Sequence, residues 1–262
     1  MQPSDILGIQ DVSHAFGGVR AVDHCSFTIE KGSISAVIGP NGAGKTTLVN
    51  LVSGALKPRE GHVRFAGTDI AGWSRHRIAQ QGLIRTFQIS REWGGMTVLE
   101  NMLVTPPHQQ GERLVNALFH PAVGKAQDRQ HGETALEVLN TFGLYPLRDE
   151  YARNLSGGQK RLLELARAVM ARPTLLLLDE PLAGVNPVLI DRIIGHIQDL
   201  NSSGITFLLV EHNLDVVERL CDHVVVMALG KTLATGRMSD LRQNAEVVQA
   251  YLGGTLNERA AG

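Results

Sequence analysis

The chain has 262 residues and a formal net charge of −1, enough for one large domain or a domain with an inserted subdomain, and too little charge to favour nucleic acid or an anionic membrane surface. Its composition is 43% hydrophobic but only 5% aromatic, so an aliphatic core is expected, of the kind made by buried parallel strands and their covering helices. No apolar run approaches the roughly 18–20 residues needed to cross a bilayer, and the start, "MQPSDILG", lacks the basic and apolar regions of a secretion signal.

A cytosolic protein is expected, one that cannot move a solute through a membrane alone. Its two cysteines, Cys25 and Cys221, sit in segments that read as strand or strand edge, and read as small buried hydrophobes rather than a disulfide or a metal pair.

In chain order, "ILGIQDVSHAF" and "VDHCSFTIEKGSISAVIG" read as short strands with turns at "FGG" and "EKG". "ISAVIG" is apolar and β-branched, as a buried strand should be. "KTTLVNLVSGAL" follows as a helix that stops near Gly54 and Pro58. "EGHVRFAGTDI" gives another strand and turn. From about Ile89 to Tyr151 the texture becomes helical: "VLENMLV" is a helix, "TPPHQQGER" breaks it, and "GETALEVLNTFGL" has helical apolar spacing. Strands and helices then alternate through "KRLLELARAVMA", "TLLLLDE", "VLIDRIIGHIQDL", "ITFLLVEH", "LDVVERLC" and "HVVVMAL". Alternation of this kind implies a parallel sheet covered on both faces. "EVVQAYLGG" reads as a terminal helix and "TLNERAAG" as a loose tail.

"GPNGAGKTT" (Gly39, Pro40, Asn41, Gly42, Ala43, Gly44, Lys45, Thr46, Thr47) fits G-x-x-x-x-G-K-[ST], with a strand before it and a helix after it. The glycines let backbone N–H groups point inward, and the helix N-terminus adds partial positive charge. Lys45 is expected to reach the β- and γ-phosphates of a nucleotide, and Thr46 to hold Mg²⁺. Alone, this loop suits a kinase or a GTPase as well.

"LLLLDEP" puts Asp179 and Glu180 at the carboxyl end of a buried strand, where ligand sites of parallel sheets lie. Asp179 would hold Mg²⁺ and Glu180 would polarise an attacking water; two solvated acids at a strand end are the plainer alternative. Gln88, after a short strand in "IRTFQIS", is either a surface glutamine or a neutral Mg²⁺ ligand and water-orienting group. His212, ending "FLLVEH", is either structural or a donor to a γ-phosphate. Phe16 is either an edge phenylalanine or a stacking face for adenine. No His, Cys, Asp or Glu cluster has zinc-ligand spacing. One further stretch, "NLSGGQKR", sets a serine and a glycine pair (Leu155, Ser156, Gly157, Gly158, Gln159) at the start of a helix. It is a second anion-binding turn in a chain that already has one.

In this order, "GPNGAGKTT", "TFQ", "LSGGQKR", "LLLLDEP" and "VEH" resemble the Walker A, Q-loop, signature, Walker B and switch-histidine motifs of the ATP-binding cassette (ABC) ATPases, from about Leu7 to Gly253. The resemblance implies an α/β P-loop NTPase fold of ABC ATPase type. That fold has a mainly parallel core sheet, an N-terminal antiparallel β region and a helical subdomain. The expected division is 1–88 and 173–238 for the ATP-binding core, 89–172 for the helical and signature subdomain, and 239–262 for a tail.

The resemblance also accounts for the second turn. Cassettes of this family pair head to tail, so Leu155, Ser156, Gly157, Gly158 and Gln159 would serve the nucleotide of the other cassette. ATP would sit on residues 39–47 with Phe16 on the adenine, Mg²⁺ on Thr46, Gln88 and Asp179, and Glu180, His212 and Gln88 as the catalytic set.

More finely, "RTFQ", "AGVNP" and "VVQAYLGG" are similar to the cassette subunits of branched-chain amino acid importers and of the related urea importers. That likeness implies a second cassette, identical or a sibling, two transmembrane permease subunits, an external solute-binding protein, no nucleic acid, and a place on the inner face of the cell membrane. The loop from Gln88 to about Val104 would touch the permease. Two departures stand out: Asn186 replaces the aspartate that many cassettes carry after Walker B, and Phe16 replaces a frequent tyrosine. ABC proteins of translation and DNA repair remain a rival class, though a single cassette without sustained heptads or basic excess suits them poorly. An exporter cassette is a third possibility.

Overall fold

The computed structural model describes residues 4–86, 92–105 and 121–251, excepting the side chains of 121–128. Gln88, most of the "TPPHQQGER" break and the "TLNERAAG" tail lie outside the described residues. The chain forms two compact units, one made of Met1–Arg85, Thr174–Ala183 and Ile197–Gly262, the other of Thr86–Pro173 and Gly184–His196.

The first unit opens with a long hairpin, β1 (Asp5–Phe16) and β2 (Val19–Glu30), turning at Gly17 with φ 57°. With β4 (Glu60–Phe65) and β5 (Thr68–Asp69) it makes an antiparallel sheet in the order β2-β1-β4-β5. The second sheet has the order β10-β9-β3-β8-β7-β6. Here β3 is Ile34–Ile38, β6 Leu83–Arg85, β7 Leu175–Asp179, β8 Thr206–Val210, β9 His223–Ala228 and β10 Lys231–Gly236.

Every residue of β3, β7 and β8 is buried. This is why they read as unbroken apolar runs rather than alternating ones: a parallel strand covered on both faces has no solvent side. Each of Leu175, Leu176, Leu177 and Leu178, at most 1% exposed, contributes about 2 kcal/mol by leaving water.

The helix α1 (Lys45–Val52) follows β3 and buries Leu48, Val49, Leu51 and Val52 in the same core. The short α2 (Arg75–Gln80), α7 (Leu214–Leu220) and α8 (Met238–Leu241) complete this unit, with a last helical segment over 245–251.

In the second unit, α3 (Val98–Leu103) starts with a capping box between Thr97 and Glu100. It is followed by α4 (Pro121–Thr141) and α5 (Gly157–Met170). α5 buries Leu162, Leu163, Leu165, Ala166, Ala168 and Met170 on one side, the stripe of an amphipathic helix. α6 (Pro187–Ser202) begins in this unit.

Several elements differ from the sequence reading, among them α4, α2 and β10. α4 extends back to Pro121, well before the Gly132 expected as its start, because Pro at the first helical position loses nothing there. α2 was not expected: it buries only Ile78 and is set by its cap, with Ser74 accepting from the Arg77 N–H. β10, also unexpected, pairs antiparallel to β9 and closes one edge of an otherwise parallel sheet.

Candidate active site

In the first unit the register of the parallel strands brings three loop starts to one line. Val37 of β3 and Asp179 of β7 both pair with Val210 of β8. The chain therefore leaves these strands side by side as Gly39, as Glu180, and as Glu211 with His212. This is the carboxyl edge of the sheet, where such folds bind ligands.

The loop Gly39–Gly44 is held tightly. Gly39 has φ 153° and Gly44 has φ 97°; a Cβ on the first would collide with the Met227 carbonyl oxygen, and on the second with that of Ala21. Glycine is required at both by conformation and by space. Gly44 caps α1, so the first N–H groups of that helix stay open to an anion.

Lys45 folds back, its Nζ donating to the Gly39 carbonyl at 2.7 Å and the Pro40 carbonyl at 3.0 Å. Burial pushes its ammonium pKa down, while the charge of Glu180 acts to raise it, which places both groups in one electrostatic neighbourhood. Asn41, Gly42 and Thr46 are exposed, Ala43 is buried, and Pro40 and Thr47 lie between.

Asp179 is 3% exposed. Its carboxylate accepts from Arg85 Nη2 at 2.9 Å, the neutralising contact that a buried acid needs. Glu180 has φ 49°, left-handed for a non-glycine residue, and its N–H still donates to Val210 O at 2.9 Å. Strain of this kind persists only where the surroundings enforce it. Here the β7–β8 ladder holds the backbone while the chain turns sharply away.

His212 is exposed. Its neighbour Glu211 is 1% exposed and accepts from the N–H groups of Leu182 and His212, both at 3.3 Å. Burial raises the Glu211 pKa, with those bonds and His212 opposing. Phe16 ends β1 at 51% exposure, edge-on to His14 with ring centroids 4.8 Å apart.

Sequence reasoning missed Arg85 and Glu211. Arg85 entered the sequence reading only as the first residue of "RTFQ", with no role given to it. Glu211 was passed over for its histidine neighbour, although an acid ending an apolar run was the available signal.

The second unit carries the other turn. Ser156 caps α5, accepting from the Gln159 N–H at 3.3 Å, while Gln159 Oε1 accepts from the Ser156 N–H at 2.8 Å. Ser156 and Gly157 are exposed and Leu155 is buried. The reciprocal cap fixes the turn and uses the Gln159 side chain to do so. Lys160 pairs with Glu92 at 2.7 Å. Asn186 accepts from the Leu189 N–H at 3.0 Å, capping α6 ahead of Pro187; asparagine does this as well as aspartate.

The donor set of the first unit suits Mg²⁺. A threonine hydroxyl on α1 and a buried carboxylate on β7 are hard oxygen donors, few enough to leave positions for water and phosphate.

A phosphate loop between a parallel strand and a helix, with an acid pair ending a strand two places away in the same sheet, defines a P-loop α/β protein. More narrowly, the chain belongs to the ABC transporter family, whose model matches residues 22–183. It is 44% identical to the "probable branched-chain amino acid transport ATP-binding protein LivG" of Archaeoglobus fulgidus, over 98% of this chain and 99% of that protein. It is 38% identical to the "high-affinity branched-chain amino acid transport ATP-binding protein BraF" of Pseudomonas aeruginosa, over 95% and 98%. A solved nucleotide-free ATP-binding cassette from an ABC transporter superposes with a TM-score of 0.81 at 37% identity, covering 94% of this chain and 98% of that one. The fold is that of an ABC ATPase cassette.

Proposed function

We propose that this chain is the ATP-hydrolysing subunit of an importer and that it energises uptake of branched-chain amino acids. The observation that carries the reading is the shared carboxyl edge of β3, β7 and β8, which sets the phosphate loop, the Asp179–Glu180 pair and His212 on one line. The cargo follows from relatives that align end to end with this chain and carry branched-chain amino acid transport in their names.

In this reading the amides of residues 39–47 cradle the phosphates of ATP, and the exposed ring of Phe16 stacks on adenine. Lys45 exchanges its two loop carbonyls for phosphate oxygens. Thr46 and Asp179 would hold Mg²⁺, which would supply positive charge against the phosphates. Glu180 takes the proton of the attacking water, and His212 donates to the γ-phosphate. Gln88, at the junction in sequence between the two units, serves the metal and the water.

Ser156 with its hydroxyl, and Gly157 and Gly158 with their N–H groups at the helix start, serve the ATP of a second cassette. That answers why one chain has two anion-binding turns, one in each unit.

Two permease subunits and an external binding protein complete the assembly, with the cassette on the inner face of the membrane. Among the described residues no helix is long and apolar enough to cross a membrane. The permease would cover the exposed Trp93, Val104 and Tyr151 of the second unit. Arg167 lies over the Trp93 ring at 4.1 Å and Arg153 over that of Tyr151 at 4.6 Å.

The test is labelled leucine uptake in cells lacking this chain. Loss of uptake, restored by the wild-type chain and not by Lys45→Ala, is the expected result. Normal leucine uptake without the chain would refute the cargo, and full restoration by Lys45→Ala would refute the energising role.

A further inference from the structure

Arg85 ends β6, the edge strand of the six-stranded sheet, and stands three residues before Gln88 in sequence. Its side chain is 15% exposed and that of Asp179 is 4% exposed. Nη2 donates to Asp179 Oδ2 at 2.9 Å. Nη1 donates to Asn50 Oδ1 at 2.7 Å and to Ser53 Oγ at 3.0 Å. Nε is buried and has no hydrogen-bond partner among the described residues. One planar guanidinium therefore ties the acid of β7 to the last turn of α1, the helix whose first turn carries Lys45 and Thr46.

Neutralising a buried carboxylate would take only a single nearby cation. This fork does more, because its other edge is fastened to a helix that also enters the metal site. Arginine is suited to that double attachment, since its donors lie in one rigid plane; lysine offers a point charge on a flexible stem. Mg²⁺ tolerates little error in its ligand positions, at about 2.0–2.1 Å in near-octahedral geometry. A carboxylate free to rotate would bind it poorly.

We propose that Arg85 is a positioning residue for the metal site: it locks the Asp179 carboxylate in register with α1, and so with Thr46. The inference rests on the reading of Asp179 and Thr46 as the Mg²⁺-holding pair.

The experiment measures affinity of the purified chain for a nonhydrolysable ATP analogue, once in EDTA and once with Mn²⁺, together with the paramagnetic resonance spectrum of the bound Mn²⁺ and the melting temperature. Arg85→Gln is expected to leave the EDTA affinity unchanged, to lower the Mn²⁺-dependent gain by about tenfold or more, as loss of a ligand-orienting partner does, and to broaden the Mn²⁺ spectrum. Arg85→Lys is expected to fall between. Asp179→Asn separates the two layers. If it leaves the Mn²⁺ gain intact, the reading of Asp179 fails and the inference with it. If it abolishes the gain while a folded Arg85→Gln chain keeps the wild-type gain and spectrum, the Arg85 inference alone is overturned. Should Arg85→Gln not fold, the double variant Asn50→Ala, Ser53→Ala decides: a gain reduced about threefold or more, from lost hydrogen bonds, supports the lock, and a wild-type gain overturns it.

Discussion

Replacing Gly157 with alanine perturbs the signature turn without disturbing what holds it. Gly157 is the first residue of α5, its φ is not left-handed, and a Cβ there would meet no heavy atom within 4 Å. Neither strain nor packing calls for glycine at this position. In a helix interior Gly→Ala stabilises by about 1 kcal/mol; at the first position about half of that is expected, or a melting temperature higher by about 1–2 °C in a chain of this size.

If the turn must close on the phosphate of a second cassette, the methyl group stands in the way. A displacement of about 1 Å at a reacting centre costs on the order of 100-fold in rate. Phosphate release should therefore fall by about tenfold or more, with ATP binding to the single chain and the melting temperature preserved. Wild-type turnover in a stable Gly157→Ala chain would refute the reasoning. Gly158→Ala is the contrasting case: its Cβ would press on Leu189 Cδ2, so stability and turnover should fall together.

Three other outcomes are expected. Glu180→Gln keeps the size of the strained side chain at φ 49° and should leave ATP binding intact while turnover falls by about 100-fold or more; wild-type phosphate release would remove Glu180 from its role. Burial raises the Glu211 pKa above its ordinary 4.5, so the native state binds its proton more tightly than the unfolded chain. That stabilisation is complete below 4.5 and is lost as pH rises through the raised value. Denaturant titrations across this range should show Glu211→Gln with a flatter pH profile, and identical profiles would count against it. Cys221 is only partly buried, yet desolvation, with Asp222 and Glu211 nearby, pushes its thiol to about 12, so it should resist iodoacetamide at pH 8 until denaturant is added; rapid labelling of the native chain would refute the raised value.

What could be read from the sequence was whatever is contiguous. β3, β7 and β8 declared themselves because a parallel strand buried on both faces must be apolar throughout. The phosphate loop and the Ser156 cap did so because their chemistry fits within a few neighbouring residues. The role of Arg85 could not be found this way: "RTFQ" drew notice as a motif, but its arginine's partner Asp179 is 94 positions away. α2 escaped because it rests on a cap and one buried isoleucine rather than a stripe. Asn186 looked like a lost carboxylate in the sequence, while the structure shows the capping bond that it makes.

The pairing of β3 has a consequence for the order in which the molecule becomes competent. The phosphate loop is complete in the sequence by Thr47, yet the sheet neighbours of β3 are β8 and β9, which begin at Thr206 and His223. A chain emerging from the ribosome thus carries its nucleotide loop for most of its synthesis on a strand with no ladder to hold it. β8 must then enter between β3 and β7, the kind of distant pairing that folds slowly. A truncation before Thr206 keeps every residue of the loop but none of the strands beside β3, and should not retain ATP. On this topology nucleotide binding should be acquired only late in synthesis, after β8 and β9 have been made.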